Sequence, residues 1–361
     1  MAVLRGSVEL VIPICERPAS KSTPLAKLLR WRSQSRHKAS SISTALSELD
    51  GGPDSSELLT ELEWLLDDAV ESCVIHRPEK RKIQGWRRLK SALELEECGR
   101  GDRDDLDQER NDTLAGHGEI FLRASLEELE QGWKERIDRR RPFQYVTGSS
   151  HWRDLVLGVQ EGVLIPRPET KQLIDLAAAA MDGNSELARG VWVDLGTGSG
   201  AIAIGIARLL DGRGSVIAVD ASEVAIAVAE ANARRYKLQE AVTLVKGSWL
   251  TPLRDEAGKL SGIVSNPPYI PSRNLGRLQA EVGKHEPICA LDGGVDGIDH
   301  LAEICQGACW ALKSGGFLAL ETDGGEQAQT VAKILSDKPF EDIKVVKDFA
   351  EMSRFVTAFH T

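Results

Sequence analysis

From Val191 to the C-terminus, short apolar runs alternate with longer segments of helical periodicity, and this alternation constrains the fold more than any other feature. Strands are expected at Val191–Leu195, Ser215–Asp220, Val242–Lys246, Gly262–Ser265, Phe317–Glu321, Ile343–Val346 and Phe355–Phe359. Helices fall between them, near Ala201–Leu210, Glu223–Tyr236 and His300–Leu312 and after Gly325. Strands alternating with helices of this length predict an α/β architecture, a doubly wound, mostly parallel sheet of seven strands. The first strand runs into Asp194-Leu195-Gly196-Thr197-Gly198-Ser199-Gly200, where glycines let the backbone turn tightly and approach a ligand closely.

The strand ending at Ser265 is stopped by Asn266-Pro267-Pro268-Tyr269. Two prolines fix two φ angles and remove two N–H donors, so the turn is stiff and the strand cannot continue. Open α/β sheets place their chemistry at the carboxyl ends of strands. This turn offers one amide side chain, carbonyl groups and an aromatic ring, a set able to hold a planar –NH2 group. A strand-ending proline turn without chemistry is the plainer reading of these four residues taken alone.

The glycine loop is ambiguous by itself, since Gly196, Gly198 and Ala201 also fit the dinucleotide pattern G-x-G-x-x-G/A. Asp220, closing the second strand, can bind ribose hydroxyls in either case. Asp194 ahead of the glycines would repel a pyrophosphate but suits a cationic ligand such as the amino-acid end and sulfonium of S-adenosylmethionine. A hydride-transfer enzyme has no evident use for Asn266–Tyr269, so a methyl donor is the better reading. Trp249, after the third strand, offers a ring face to an adenine or serves as a core residue.

The formal charge is −10, unevenly spread over 361 residues. Residues 1–47 carry eight Lys/Arg against Glu9 and Glu16, and no acid occurs from Arg17 to Ser47. A basic, serine-rich, acid-poor stretch has the composition of an organelle transit peptide, here expected to be disordered, plastid ahead of mitochondrion. The acidic remainder opposes a large nucleic-acid footprint, so no stable nucleic-acid partner is expected. No run of about 18 apolar residues is present to cross a membrane. Six cysteines without a CxxC pair read as reduced thiols, and no metal is expected.

Leu58, Leu62, Leu65, Leu66, Ala69 and Cys73 recur at helical spacing, Trp86–Cys98 reads as a second helix, and Ser125 with Glu128 forms a capping box for a third. Residues 50–140 are therefore expected to form an all-helical docking domain, with a long exposed loop at 99–118. Residues 141–165 read as a linker hairpin pairing Trp152–Val159 with Gly162–Ile165. The catalytic domain follows at 166–361.

Asp194–Gly200, Asp220, Trp249, Asn266–Tyr269 and Pro166-Arg167-Pro168-Glu169-Thr170 together resemble the HemK-type release factor glutamine methyltransferases. The stretch His285-Glu286-Pro287…Ala290-Leu291-Asp292-Gly293-Gly294…Asp296-Gly297 is similar to that family too. The turn alone is shared with adenine-N6 and cytosine-N4 nucleic-acid methyltransferases, which remain the alternative. The resemblance implies the class I methyltransferase form of the sheet. It also implies methyl transfer from S-adenosylmethionine to the glutamine amide of the Gly-Gly-Gln loop in class I peptide release factors, by a monomer. It gives cofactor binding to Asp194, Gly196, Thr197, Gly198, Gly200, Asp220, Trp249 and Asn266. Asn266, Pro267, Pro268 and Tyr269, with Arg167 and Glu169, would hold the glutamine, and Asn266, Pro267 and Tyr269 would act in transfer. Lys171 stands where the family usually has an acid, and 99–118 looks like an insertion.

Overall fold

A computed structural model describes residues 8–42, 44–75, 81–98 and 118–361. The chain divides into two compact units. One comprises Ile12–Ser149 with the short segment Gln279–Val282, and the other comprises Met1–Val11, Ser150–Leu278 and Gly283–Thr361.

The N-terminal unit corrects the expectation of an all-helical domain. Four strands, β1 (Lys21–Pro24), β2 (Val70–Ile75), β3 (Arg81–Gln84) and β4 (Gly118–Leu122), form an antiparallel sheet in the order β1-β4-β2-β3. The helix expected to reach Cys73 stops at Ala69, and Cys73 lies in β2. The reason is local: Val70, Val74 and Ile75 are β-branched and favour the pleated sheet, and a leucine stripe hides the change of period. The expected loop at 99–118 lies outside the described residues except for Gly118, which opens β4.

The expectation of disorder through residue 47 also needs correction. Leu25–Ile42 is an α-helix whose Leu25, Leu28, Trp31 and Ala39 are buried with Leu58, Leu62, Leu65 and Leu66 in one core. Two of its cations share one acid, because Arg32 meets Glu63 at 2.7 Å and Arg36 meets the same carboxylate at 3.3 Å. Composition alone registers the charges on one face and not the apolar spacing on the other. The capping box at Ser125 forms as expected: Ser125 Oγ accepts from Glu128 N at 3.1 Å, and Glu128 Oε2 accepts from Ser125 N at 2.7 Å.

In the larger unit a two-stranded sheet comes first, β5 (Ser149–Trp152) with β6 (Leu155–Gly158). Gly162–Ile165 is not a strand, so the expected hairpin is displaced toward the N-terminus: the tight turn at Arg153-Asp154 takes the pairing, with Arg153 at φ +53°. The main sheet follows expectation, with β7 (Val191–Leu195), β8 (Ser215–Asp220), β9 (Val242–Lys246), β10 (Leu260–Ser265), β11 (Leu312–Glu321), β12 (Phe340–Lys347) and β13 (Ser353–His360). Their order is β12-β13-β11-β10-β7-β8-β9. The neighbours from β11 to β9 pair in parallel, while β13 runs antiparallel to both β11 and β12. This is the class I methyltransferase sheet. The chain moves outward from β7 through β8 to β9, then returns to β10 on the other side of β7. The carboxyl ends of β7 and β10 thus flank the topological switch point, where such sheets leave a crevice.

Candidate active site

The two sequence motifs meet at that switch point. Ser265 Oγ donates to Leu195 O at 2.6 Å, tying the last residue of β10 to the last of β7. The glycine loop leaves β7 and is pinned from behind, with Gly196 N and Thr197 N both donating to Val219 O at 2.9 and 3.0 Å. Gly196, Gly198 and Gly200 all have positive φ (+73°, +54° and +83°), a conformation that penalises any side chain. A Cβ on Gly200 would crowd Ala229 at 3.2 Å, whereas one on Gly198 meets nothing within 4 Å and would project into the space the loop encloses.

That space is a cavity of about 490 Å³. Gly196, Thr197, Gly198, Asp220, Trp249, Asn266 and Pro268 line it, with Thr170, Pro166 and His300. Asp220 Oδ2 accepts from Gly198 N at 2.9 Å and Oδ1 from Ser222 N at 2.8 Å, which fixes the carboxylate at the cavity wall. Burial raises its pKa, while these backbone donors oppose the shift. Trp249 takes a left-handed backbone (φ +44°), unusual for an aromatic residue, and sets its ring near the Gly196 backbone and 5.3 Å from the His300 ring.

Asp194, Gly200, Pro267, Tyr269, Arg167 and Glu169 are not among the residues lining this cavity. Asp194 is fully buried and braces the loop, its Oδ2 accepting from Thr197 Oγ1 at 2.6 Å and Ala203 N at 3.0 Å. Burial pushes its pKa up to about 7, against the pull of those two donors. The sequence argument that its charge faces a cationic ligand is therefore corrected: a small hydroxyl three residues away claims the carboxylate. Arg167 pairs with the buried Glu286 at 2.6 Å, and Glu286 Oε2 also accepts from Ile165 N at 3.1 Å. Both contacts hold the Pro166–Thr170 segment in place, and Trp152 Nε1 donates to Arg167 O at 2.8 Å as a third.

Thr170 and Glu321 carry roles that the sequence reading did not assign. Asn266 Nδ2 donates to Thr170 Oγ1 at 3.1 Å, and among the described residues its Oδ1 accepts no hydrogen bond. Tyr269 Oη donates to Glu321 Oε1 at 3.3 Å. The stretch from His285 to Gly297 splints the turn from outside. Ile270 N donates to Leu291 O and Gly293 N to Ile270 O at 3.0 and 2.8 Å, and Gln327 Nε2 reaches Tyr269 O at 2.9 Å and Gly297 O at 3.1 Å. A Cβ at Gly293 would lie 2.7 Å from Tyr269 Cα, so the close approach requires glycine there.

The glycine cradle, a carboxylate placed for a ribose and an aromatic face suit the nucleoside and amino-acid halves of S-adenosylmethionine. The volume also falls in the range of small-molecule sites. Residues 171–279 match the family model described as the methyltransferase small domain. A release factor glutamine methyltransferase of Gloeobacter violaceus is 45% identical over 242 residues, 67% of this chain and 82% of the relative. Its counterpart in Synechocystis sp. is 42% identical over 244 residues, 67% of this chain and 81% of the relative. A third, from Thermosynechococcus vestitus, is 40% identical over 240 residues, covering 66% of this chain and 81% of its own length. Identity at this level runs over most of each relative, well beyond a shared sheet, and the chain belongs to the release factor glutamine methyltransferase family.

Proposed function

We propose that this chain is an S-adenosylmethionine-dependent methyltransferase acting on the side-chain amide of the glutamine in the Gly-Gly-Gln loop of a class I peptide release factor. The observation that carries this is the fixed orientation of Asn266. Its NH2 end is held by one hydrogen bond to Thr170 within the wall of a cavity suited to the donor, so its oxygen is turned to accept an N–H. S-adenosylmethionine, when bound, supplies an electrophilic methyl group. Asn266 Oδ1 and the Pro267 carbonyl accept the two amide hydrogens and turn the nitrogen lone pair out of conjugation. Positioning of that kind can remove about 7–11 kcal/mol from a barrier. Positive charge growing on nitrogen strengthens both hydrogen bonds, so they favour the transition state over the ground state. The methylated nitrogen is cationic and acidic, and its extra proton passes to solvent water without a dedicated base.

Incubation with labelled donor and either a release factor or DNA, followed by mass spectrometry, tests the reading. A methyl group on the Gly-Gly-Gln glutamine is expected; label on adenine or cytosine alone would overturn it in favour of a nucleic-acid methyltransferase. The acidic balance of the chain supports a monomer without a nucleic-acid partner, and sedimentation with and without duplex DNA checks both points. The N-terminal unit is assigned release factor docking, with Trp64 and Leu49 as exposed apolar contacts at 51% and 76%. Trp64→Ala should then weaken release factor binding and leave donor affinity unchanged. Plastid targeting is proposed from the basic, serine-rich composition of residues 1–47, most of which lies in 21–47, since residues 1–20 carry only Arg5 and Arg17 against Glu9 and Glu16. Because β1 pairs with β4 and the helix Leu25–Ile42 packs into a core, the end of a cleaved leader is placed before Lys21 in this reading. A fluorescent fusion of residues 1–20 that stays in the cytosol would count against it.

A further inference from the structure

Within residues 150–361, the large hydrophobic side chains that stand exposed are Ile288, Val295, Phe349 and Met352. Exposed apolar side chains scattered singly are ordinary, whereas a group gathered in one place marks an interaction site. These four lie on two segments, and both segments are bonded to the residues that hold the Asn266–Tyr269 turn. Ile288 and Val295 belong to the stretch that splints it, where Ser272 N donates to Gly294 O at 2.9 Å and Arg273 Nη1 to Val295 O at 3.2 Å. Phe349 and Met352 occupy the tip joining β12 to β13. Through the antiparallel β13, β12 runs parallel to β11, so this tip emerges at the same edge of the sheet as the turn. Thr322 N and Oγ1 donate to Arg354 O at 2.9 and 2.8 Å, next to the Glu321 that holds Tyr269. Gln172 Nε2 donates to Lys347 O at 2.8 Å, two residues beyond Thr170.

The hairpin tip is built to display its side chains. Asp348, 4% exposed, accepts from Ala350 N, Met352 N and Arg354 Nε at 2.8, 2.9 and 2.7 Å, and its own N donates to Met352 O at 2.8 Å. Met352 rests on Gly324, where a Cβ would lie 2.8 Å from its Cγ. This frame holds Phe349 out at 82% exposure. A backbone ordered before contact loses little entropy on binding. Charge decides the kind of partner. Residues 285–297 hold three acids and neither Lys nor Arg. The hairpin cations Lys347 and Arg354 are paired with Glu351 and Asp348 at 2.9 and 2.7 Å. A phosphate backbone gains nothing from such a surface, whereas an apolar polypeptide does.

We propose that Phe349 and Met352, together with Val295 and Ile288, form an apolar rim that seats the release factor chain flanking the substrate glutamine. Phe349 is its anchor, and apolar side chains of the release factor near the Gly-Gly-Gln loop are its occupants. This rests on the glutamine-methyltransferase reading above and names the contact that gives that reaction its protein specificity. A glutamine preceded by two glycines offers no side chain on that flank, so the turn that holds the amide cannot by itself select one protein. Selection falls to the residues just outside, and the rim continues the surface of the turn outward to meet them. Aromatic side chains are enriched at the centre of protein interfaces, which suits Phe349 to the anchoring role.

The test uses the full chain with an intact release factor at saturating donor. Phe349→Ser should raise KM for the release factor about 10-fold or more, with kcat within about twofold of wild type. Phe349→Leu, apolar again, should recover most of that loss. Val295→Ser should raise KM about threefold, and the two effects should add, since each side chain meets a different part of the occupant. Donor affinity by calorimetry and the denaturation midpoint should match wild type in every variant, as expected of exposed side chains. Serine in place of apolar side chains near the Gly-Gly-Gln loop of the release factor should raise KM with the wild-type enzyme and change it little with Phe349→Ser. A KM within about twofold of wild type in Phe349→Ser, a fall in kcat in place of a rise in KM, or no recovery with Phe349→Leu would overturn the proposal. If Phe349→Ser loses donor binding, Val295→Ser and Met352→Ser decide by the same criterion. With an active wild type those outcomes leave the glutamine-methyltransferase reading standing; a wild type that methylates no release factor removes both.

Discussion

At the scale of single residues, the site depends on which atoms already have partners. Asn266 donates one N–H to Thr170, which turns its oxygen toward the substrate, so removing that oxygen removes the contact proposed with substrate. Asn266→Ala should lower transfer by about 10²-fold or more while donor affinity by calorimetry stays near wild type. Asp194 offers a different prediction. Its pKa is raised to about 7 in the folded protein, whereas an exposed Asp titrates near 4, so between those values the folded state holds the proton more tightly. This contribution to stability is complete at the acid end and is lost as pH rises through about 7. The melting temperature of the ligand-free protein should fall over that interval, and Asp194→Asn should flatten the slope. The proline turn and glycine loop were legible because their backbone demands are written in residue type. Thr170 and Glu321 were not, because a hydroxyl and a carboxylate carry no local signature until 96 residues of separation between Thr170 and Asn266 are closed by the fold.

At the scale of elements, the sheet positions the site by register. Gly262 of β10 sits opposite Trp192 of β7, and a Cβ there would lie 2.3 Å from the indole ring. Trp192 is fully buried and its Nε1 donates to Leu187 O at 2.8 Å, so it cannot move aside cheaply. Gly262→Ala should destabilise the protein by about 1–3 kcal/mol, measured by chemical denaturation, and should disturb the approach of the two loops. The strands of this sheet could be located from the sequence because each is a buried apolar run bounded by turn residues. The small antiparallel sheet was missed for the opposite reason: β1 and β3 are short and polar, and both expose most of their residues.

At the scale of the whole molecule, chain order and unit membership differ. The segment Gln279–Val282 belongs to the N-terminal unit, and there Glu281 pairs with Arg136 at 2.8 Å and with Arg140. Glu61 and Asp50 complete the buried network at 2.6 and 2.9 Å. Glu281→Ala leaves buried guanidinium groups short of a counter-charge. It should cost about 3–5 kcal/mol, seen as a lowered denaturation midpoint, more than loss of any exposed pair. Nothing in the sequence links Glu281 to Arg136, since charge pairs across 145 residues have no periodicity to betray them.

The sequence by itself determined the seven-stranded α/β sheet, the glycine loop, the stiff turn after β10 and the family to which they belong. Each depends on short-range rules: periodicity, the φ freedom of glycine and the missing donor of proline. Tertiary structure alone decided that Leu25, Leu28, Trp31 and Ala39, within a stretch that composition reads as disordered, pack into a core, that Asp194 braces the loop instead of facing a ligand, and that Asn266 is oriented by Thr170. Burial and hydrogen-bond partnership are properties of where distant segments meet, and no local pattern encodes them.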